Sequence, residues 1–406
     1  MRHYVSVMLL LLAMMAHAAD GKWAGTWATA IEPVGKNDLP DNLDLANSSI
    51  RQVVKVSTGG REIRLRLSNE FSEKPIEIRS VWVADARDSS DVDRKTARSL
   101  YFGGRKAVTI EPGKTVTSDA LAYGLKPLQL LAITISYGAV SAKATGHRGS
   151  RTTSYVVKGE GRPRRSFNGA LRLERWLNIA AVEVRADGKK SIAILGNSIT
   201  DGRGSDTDRQ NRWPDRMAEA LAGNALTSGF GVLNLGIGGN CVVAGGLGPT
   251  ALNRFDTDIL GQNGLEAVVV FEGINDIGGA QGNCERRAGE LIEAYKLFVD
   301  KAHKRGIKVY GATITPFGNS FYDAGFFREA ARQTVNRWVR TGGAFDGVID
   351  FDMLMRDSEC PAKLRRQWQS DLLHPNVEGY EAMGRMAAQF IIYYCPLNIA
   401  TLIPTH

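Results

Sequence analysis

SIAILGNSITDG, residues 191–202, decides the fold. It opens as a near-continuous apolar strand and then turns, leaving Ser198 just beyond the strand's carboxyl end. Four more runs share its character: GVLNLGIGG (231–239), EAVVVFEG (266–273), KVYGATITP (308–316) and GVIDFDM (347–353). Helical patterns alternate with them, among them 214–223, 285–306, 326–340 and 376–394. Strands that are apolar throughout, separated by helices, predict a parallel sheet covered on both faces, an α/β domain over 190–400. Such sheets bind ligands at the carboxyl ends of their strands. The polar motifs of this half fall at those ends.

Upstream of ADGKK (186–190) the period is different. Short runs such as IRQVVKVS (50–57), REIRLRL (61–67) and LAITISY (131–137) alternate in polarity. In REIRLRL, Ile63, Leu65 and Leu67 face one way and Arg64 and Arg66 the other, the pattern of a half-buried strand. TGG (58–60) and EPGK (111–114) mark turns between such runs. Residues 20–187 are expected to form an all-β sandwich of jelly-roll type.

The first 19 residues combine a basic start, the apolar run VSVMLLLLAMM and a small-x-small site at Ala16-His17-Ala18. This describes a cleavable export signal, cut after Ala18 or Ala19, and predicts a periplasmic or secreted protein with no membrane span. The chain of 406 residues carries a net charge of +8, spread along its length with clusters at 161–167, 284–287 and 363–368. No motif accompanies these charges that would suit nucleic acid. Four cysteines, Cys241, Cys284, Cys360 and Cys395, suit an oxidising compartment and allow three pairings. Cys241–Cys284 and Cys360–Cys395 are the favoured ones. No cofactor is expected, and no metal, since clusters of cysteine with histidine are absent.

The chemistry begins with histidine, of which there are six. His3 and His17 lie in the expected signal, His406 is the last residue, and His303 sits near the end of a basic amphipathic helix. That leaves His147 and His374. A serine hydroxyl is a weak nucleophile until an imidazole takes its proton, and a carboxylate that fixes the imidazole completes the unit. In SDLLHPN (370–376), Asp371 stands three residues before His374, a spacing that brings the two side chains together within one helical turn, with Pro375 opening the final helix. Acyl transfer also needs donors for an oxyanion. NLGIGGN (234–240) offers backbone N–H groups at a glycine-rich turn, and EGIND (272–276) offers the Asn275 amide.

Taken in this order, the four blocks resemble the SGNH, or GDSL-type, hydrolase superfamily. The resemblance implies a flavodoxin-like three-layer catalytic domain and carboxylic-ester hydrolysis. It implies Ser198 as nucleophile, Asp371 and His374 as its partners, and the N–H groups of Ser198 and Gly239 with the Asn275 amide as oxyanion donors. GTWATA (25–30), RLSNEF (66–71), GINDIG (273–278) and GLGPTALNRFD (246–256) further resemble a two-domain subgroup named for a xylan-associated esterase. For that subgroup the implied substrate is a short acyl, most plausibly acetyl, ester of a carbohydrate, free or in a polysaccharide. A broad carboxylesterase, arylesterase or lipase and an acyltransferase to sugar hydroxyls stay open beside it. So do two roles for the sandwich, glycan contact and structural support.

The first block departs from the family's usual Gly-Asp-Ser, reading Gly196-Asn197-Ser198. Asn197, Asp201 and Asp276 are read as supports for the chemistry. Trp368, three residues before Asp371, is the candidate for stacking on a sugar ring, with packing of its loop as the alternative.

Overall fold

The change of sequence period near residue 190 is a change of sheet type. The computed structural model describes residues 23–87, 90–159, 166–322 and 325–394. The expected export signal and Cys395 lie outside the described residues. In the first half every pairing is antiparallel. One sheet carries Trp23–Ala28, Ile179–Arg185 and Gly60–Ser68 in that order, with two shorter strands beside the last. A larger sheet is built around Ser48–Lys55, Leu130–Tyr137 and Ile76–Asp85. Their apolar faces meet in one core: Ile63, Leu65 and Leu67 from the first sheet, Ile50, Val81 and Ile133 from the second. This is the sandwich that the alternation predicts. A small third sheet, Trp176–Leu177, Ala144–His147 and Glu32–Val34, extends it toward the second domain.

The second domain holds five parallel strands: β1 (Lys190–Gly196), β2 (Phe230–Gly236), β3 (Leu265–Phe271), β4 (Lys308–Ala312) and β5 (Gly347–Ile349). Their order is β2-β1-β3-β4-β5, the flavodoxin-like arrangement. Helices 213–222 and 377–394 pack on each other, as do 284–303 and 326–341, and together they complete the three layers. Register places the future site: Gly196 at the end of β1 pairs with Gly236 of β2 on one side and Phe271 of β3 on the other. Three glycine-rich turns therefore leave the sheet at one level, at the switch point of the strand order.

β2 is an edge strand, and the sandwich covers it. Val232 N–H donates to Ser57 Oγ at 2.9 Å, and Gly25 N–H donates to Ser191 Oγ at 2.9 Å. Ala28, Ala30 and Ala181 of the sandwich belong to the same buried cluster as the parallel sheet. The two halves thus share a core, and an edge that would otherwise offer unpaired N–H groups is closed. The approach is close enough that a Cβ at Gly231 would overlap the carbonyl oxygen of Gly25. Among the described residues no helix is long and apolar enough to cross a membrane.

Gly231→Ala should therefore push the two domains apart. Overpacking of this kind costs about 1–3 kcal/mol. A fall of several degrees in the melting temperature is expected, and a melting curve unchanged within a degree would mean that the contact is soft.

Candidate active site

Ser198 opens a single helical turn, Ser198–Asp201, directly after β1. Asn197 caps that turn, its Oδ1 accepting the Ile199 N–H at 3.0 Å. The Ser198 hydroxyl donates to His374 Nε2 at 2.8 Å. On the far side of the ring, His374 Nδ1 donates to Asp371, 2.8 Å from Oδ2 and 3.0 Å from Oδ1. The chain of contacts needed for proton removal from serine is thus in place.

The way Asp371 reaches His374 differs from the expected helical turn. The segment 370–374 is a non-helical bend closed by a bridge between Gln369 and Pro375, and the final helix begins only at Val377. Leu372 adopts a left-handed φ of +67°, a conformation that costs a side-chain-bearing residue energy. In return Asp371 Oδ1 accepts the backbone N–H of His374 at 2.8 Å while the same carboxylate faces the ring. Spacing alone does not distinguish this bend from a helix.

Electrostatics follow from burial. His374 is 3% exposed, and burial, partly opposed by Asp371, holds its imidazole below the usual histidine value. Burial would raise the Asp371 carboxyl, but the hydrogen bonds from the His374 backbone and ring outweigh it and hold the group below the carboxylate norm. A neutral base facing an ionised orienting carboxylate is the state in which a serine proton can be accepted.

Ser198, Gly239, Asn275 and His374 line one open cleft of about 480 Å³. Gly239 has a φ of +71°, which a glycine adopts without strain. Its backbone N–H and that of Ser198 have no hydrogen-bond acceptor among the described residues. The Asn275 amide is held at both ends: Nδ2 donates to the Asn240 carbonyl at 2.7 Å, and Oδ1 accepts from the Tyr322 hydroxyl at 2.7 Å. Since an amide nitrogen carries two hydrogens, one is left to serve the cleft. Burial lifts the Tyr322 phenol to about 12, so it stays a donor and fixes which way the amide points.

The supporting carboxylates have separate tasks. Asp276 accepts the N–H groups of Val242 and Val243 at 2.8 and 3.0 Å, tying the turn after β3 to the turn after β2. Asp201 accepts from His147 Nε2 at 2.8 Å, while His147 Nδ1 donates to the Ala30 carbonyl at 2.9 Å. His147 is therefore a buried link from the sandwich to the Ser198–Asp201 helical turn, and its ring is engaged away from Ser198. Asn197 faces a carboxylate that was not anticipated: its Nδ2 donates to Glu272 Oε2 at 3.1 Å. Burial raises Glu272 to about 8 despite Arg254 nearby. An acidic group is thus present beside the Ser198 turn, supplied by the turn after β3 instead of by position 197.

Several features escaped the sequence. Arg254, 2% exposed, donates to the Leu235 carbonyl at 2.7 Å, the Gly196 carbonyl at 3.1 Å and Asn240 Oδ1 at 3.0 Å. Its only signal was its place in GLGPTALNRFD. Tyr322 gave none. One wall of the cleft comes from the sandwich, through Glu32, Asp38, Arg148, Gly149, Arg151 and Arg175. Trp368 is not among the residues that line it; the ring packs against the core with the Arg365 guanidinium 4.9 Å above it. Phe321 and Tyr322 are the aromatics of the cleft. Trp23, Trp27 and Trp176 of the sandwich are buried.

The favoured Cys241–Cys284 pairing is absent, and Cys241, Cys284 and Cys360 are free thiols. Cys284 opens a helix and packs into the catalytic-domain core, whereas Cys241 lies against Gly246 in the loop after β2. Burial pushes the Cys241 thiol up to about 12, leaving it a small apolar group. Among the described residues no three His, Cys, Asp or Glu side chains converge as a metal site.

A flavodoxin-like sheet with this constellation at its switch point is an arrangement suited to acyl transfer through a serine. Residues 194–382 match the sequence model of the GDSL-like Lipase/Acylhydrolase family. The second domain is an SGNH/GDSL hydrolase domain, and the protein is a carboxylic ester hydrolase. No curated protein matches the chain. Among solved structures it is similar to a GDSL-like lipase from Bacteroides thetaiotaomicron, at 21% identity over 50% of this chain and 88% of that one, with a TM-score of 0.38. A family two carbohydrate esterase from Cellvibrio japonicus is 11% identical, covering 93% of this chain and 96% of its own, with a TM-score of 0.39. Est24, a carbohydrate acetylesterase from Sinorhizobium meliloti, is 15% identical over 50% of this chain and 99% of its own, with a TM-score of 0.38.

Two measurements probe these electrostatics. If His374 accepts the serine proton, kcat/KM should be lost as pH falls through an ionisation below about 6.5, because burial favours the neutral imidazole. An inflection above that value would show that the Asp371 charge outweighs burial. Asn197→Asp would set a second carboxyl against Glu272, so that the pair must share a proton in the folded state. A folded-state pKa raised above the unfolded one means stability lost as pH rises. The melting temperature of the variant should therefore fall further below wild type at about pH 9 than at about pH 6. A gap that is the same at both values would remove the like-charge argument.

Proposed function

We propose that the protein is an exported serine esterase that hydrolyses short acyl esters, acetyl above all, on carbohydrates through an acyl-enzyme at Ser198. The observation that carries the reading is the hydrogen-bonded chain from Ser198 through His374 to Asp371, opening into the cleft that Gly239 and Asn275 line. In this mechanism Ser198 Oγ attacks the ester carbonyl carbon and His374 Nε2 takes the hydroxyl proton. The carbonyl π electrons move onto oxygen, which is held by the N–H groups of Ser198 and Gly239 and by Asn275 Nδ2. Collapse breaks the bond to the alcohol oxygen, and His374 returns the proton to the departing alcohol. Water, deprotonated by the same imidazole, then attacks the acyl carbon; collapse breaks the bond to Ser198 Oγ, which takes the proton back from His374, and the carboxylic acid leaves. Asp371 stays ionised throughout and balances the imidazolium.

The openness of the cleft suits both a bulky alcohol and the entry of water. Leu247, Phe321 and Leu373 supply a small apolar face for the acyl group, which favours acetyl over long chains. The carbohydrate alcohol rests on the blocks shared with the xylan-associated subgroup, and export rests on the character of the first 19 residues.

Ser198→Ala should lower hydrolysis of 4-nitrophenyl acetate by about 10⁶-fold, since members of such a unit act together. A fluorophosphonate should label Ser198 alone. Asn275→Ala should lower kcat by about 10²–10³-fold with KM little changed, the cost of one oxyanion donor. Turnover retained by Ser198→Ala would remove the acyl-enzyme, and a loss confined to KM would make Asn275 a binding residue.

A further inference from the structure

The cleft has two unlike sides. Leu247, Phe321 and Leu373 make one of them apolar, whereas the other carries four guanidinium groups: Arg148, Arg151 and Arg175 from the sandwich, and Arg203 from the loop after the nucleophile. Three carboxylates share that second side, and each is already engaged. Glu32, 1% exposed, accepts from the backbone N–H and Nε of Arg148, both at 2.9 Å. Asp38 lies 3.8 Å from the Arg148 guanidinium. Asp201, 2% exposed, is held by His147. Arg148 is therefore balanced within the protein.

The other three arginines are not. Arg203 is 3.8 Å from Asp371, whose two oxygens already serve His374. Arg151 comes no nearer than 3.9 Å to Asp201. Arg175 donates from Nη1 to the carbonyl of Glu174 at 2.7 Å and has no ion pair among the described residues. The Glu174 carboxylate is itself used by Thr207 Oγ1, at 3.2 Å, and does not line the cleft. The Nε atoms of Arg151 and Arg175 are both buried, and neither has an acceptor. With no carboxylate nearer than 3.8 Å to any of the three, this wall of the cleft carries positive charge that an anionic group on the ligand would balance.

We propose that the ester taken by this cleft carries a carboxylate, which Arg151 and Arg175 hold while its acyl bond lies at Ser198. The inference rests on the ester-hydrolase reading and narrows its substrate class. Arginine suits the task because its planar fork matches the two oxygens of a carboxylate. The side of the cleft opposite the apolar face is where the anion belongs. The same recognition serves a carboxylate on the alcohol, as in an acetylated uronic acid, and one on the acyl group, as in a hemisuccinate.

Two matched pairs of esters test it on the full-length protein at low salt. In the alcohol arm, acetate release is followed from the acetylated methyl glycoside of galacturonic acid and from its uncharged uronate methyl ester. In the acyl arm, nitrophenol release is followed from 4-nitrophenyl hemisuccinate and from 4-nitrophenyl butyrate. The anionic member of at least one pair should have a kcat/KM about tenfold higher than its neutral twin. In the Arg151→Gln/Arg175→Gln double variant that ratio should fall to within about twofold of unity. Because the ratio compares two substrates on one preparation, a general loss of folded or active protein cancels from it. Ratios near one for both pairs in the wild-type protein would overturn the inference while leaving the esterase reading intact, as would a preference that the double variant retains. Failure to hydrolyse any of the four esters would remove the esterase reading and this inference with it.

Discussion

The catalytic end of the sheet depends on one buried cation. The Arg254 guanidinium reaches the carbonyls of Gly196 and Leu235, at the ends of β1 and β2, and the side chain of Asn240. Asn240 in turn presents the carbonyl that receives the Asn275 amide. A single planar fork thereby fixes the spacing of the three turns that carry Ser198, Gly239 and Asn275. Taking a guanidinium out of water is expensive, and it is tolerated here because carbonyl and amide oxygens accept its hydrogens and Asp258 lies 3.4 Å away. A lysine could not span the same acceptors, having one point charge in place of a rigid fork.

Around that anchor the donors are prepared before any substrate arrives. Tyr322 and the Asn240 carbonyl hold the Asn275 amide, and Asp276 pins the loop that follows Gly239. Preorganised donors need no rearrangement as charge develops, which is where most of their value in acyl transfer lies. The strain at Leu372 belongs to the same design, since the left-handed residue lets one carboxylate grip both the backbone and the ring of His374. Energy is spent on a local conformation so that the His374 ring is held still.

What could be read in the sequence was what periodicity and functional-group chemistry record. The alternation in REIRLRL and the apolar runs from 191 onward state which faces are buried, and the strands lie where those patterns end. The late Asp371–His374 pair and Ser198 stood out because imidazole was scarce and the chemistry demands all three types. Strand order came only through the family resemblance, since a burial pattern does not name the neighbour. For the same reason Arg254 looked like one basic residue among many, and Trp368 looked free to face a sugar. The cysteine pairing failed on a related point: oxidising conditions permit a bond but do not bring two side chains together. Cys284 faces the core and Cys241 its own loop.

The sandwich is a participant in the site, and three independent contacts make it so. It packs on the edge strand β2 through Ser57 and reaches β1 through Gly25, it holds the Ser198–Asp201 helical turn through His147 and Asp201, and it supplies the cationic wall of the cleft. Gly149 shows how tightly the second contact is fitted, because a Cβ there would overlap the Asp201 carboxylate. Without the sandwich the Val232 N–H of β2 would lose its Ser57 acceptor, and Asp201 would lose its imidazole partner. A buried polar group left unmatched costs roughly 1–3 kcal/mol, a large share of the net stability of an ordinary domain. The two sequence periods therefore describe two architectures around one cleft, in which the parallel sheet places Ser198, Gly239, Asn275 and His374 and the sandwich fixes and shapes the wall that faces them.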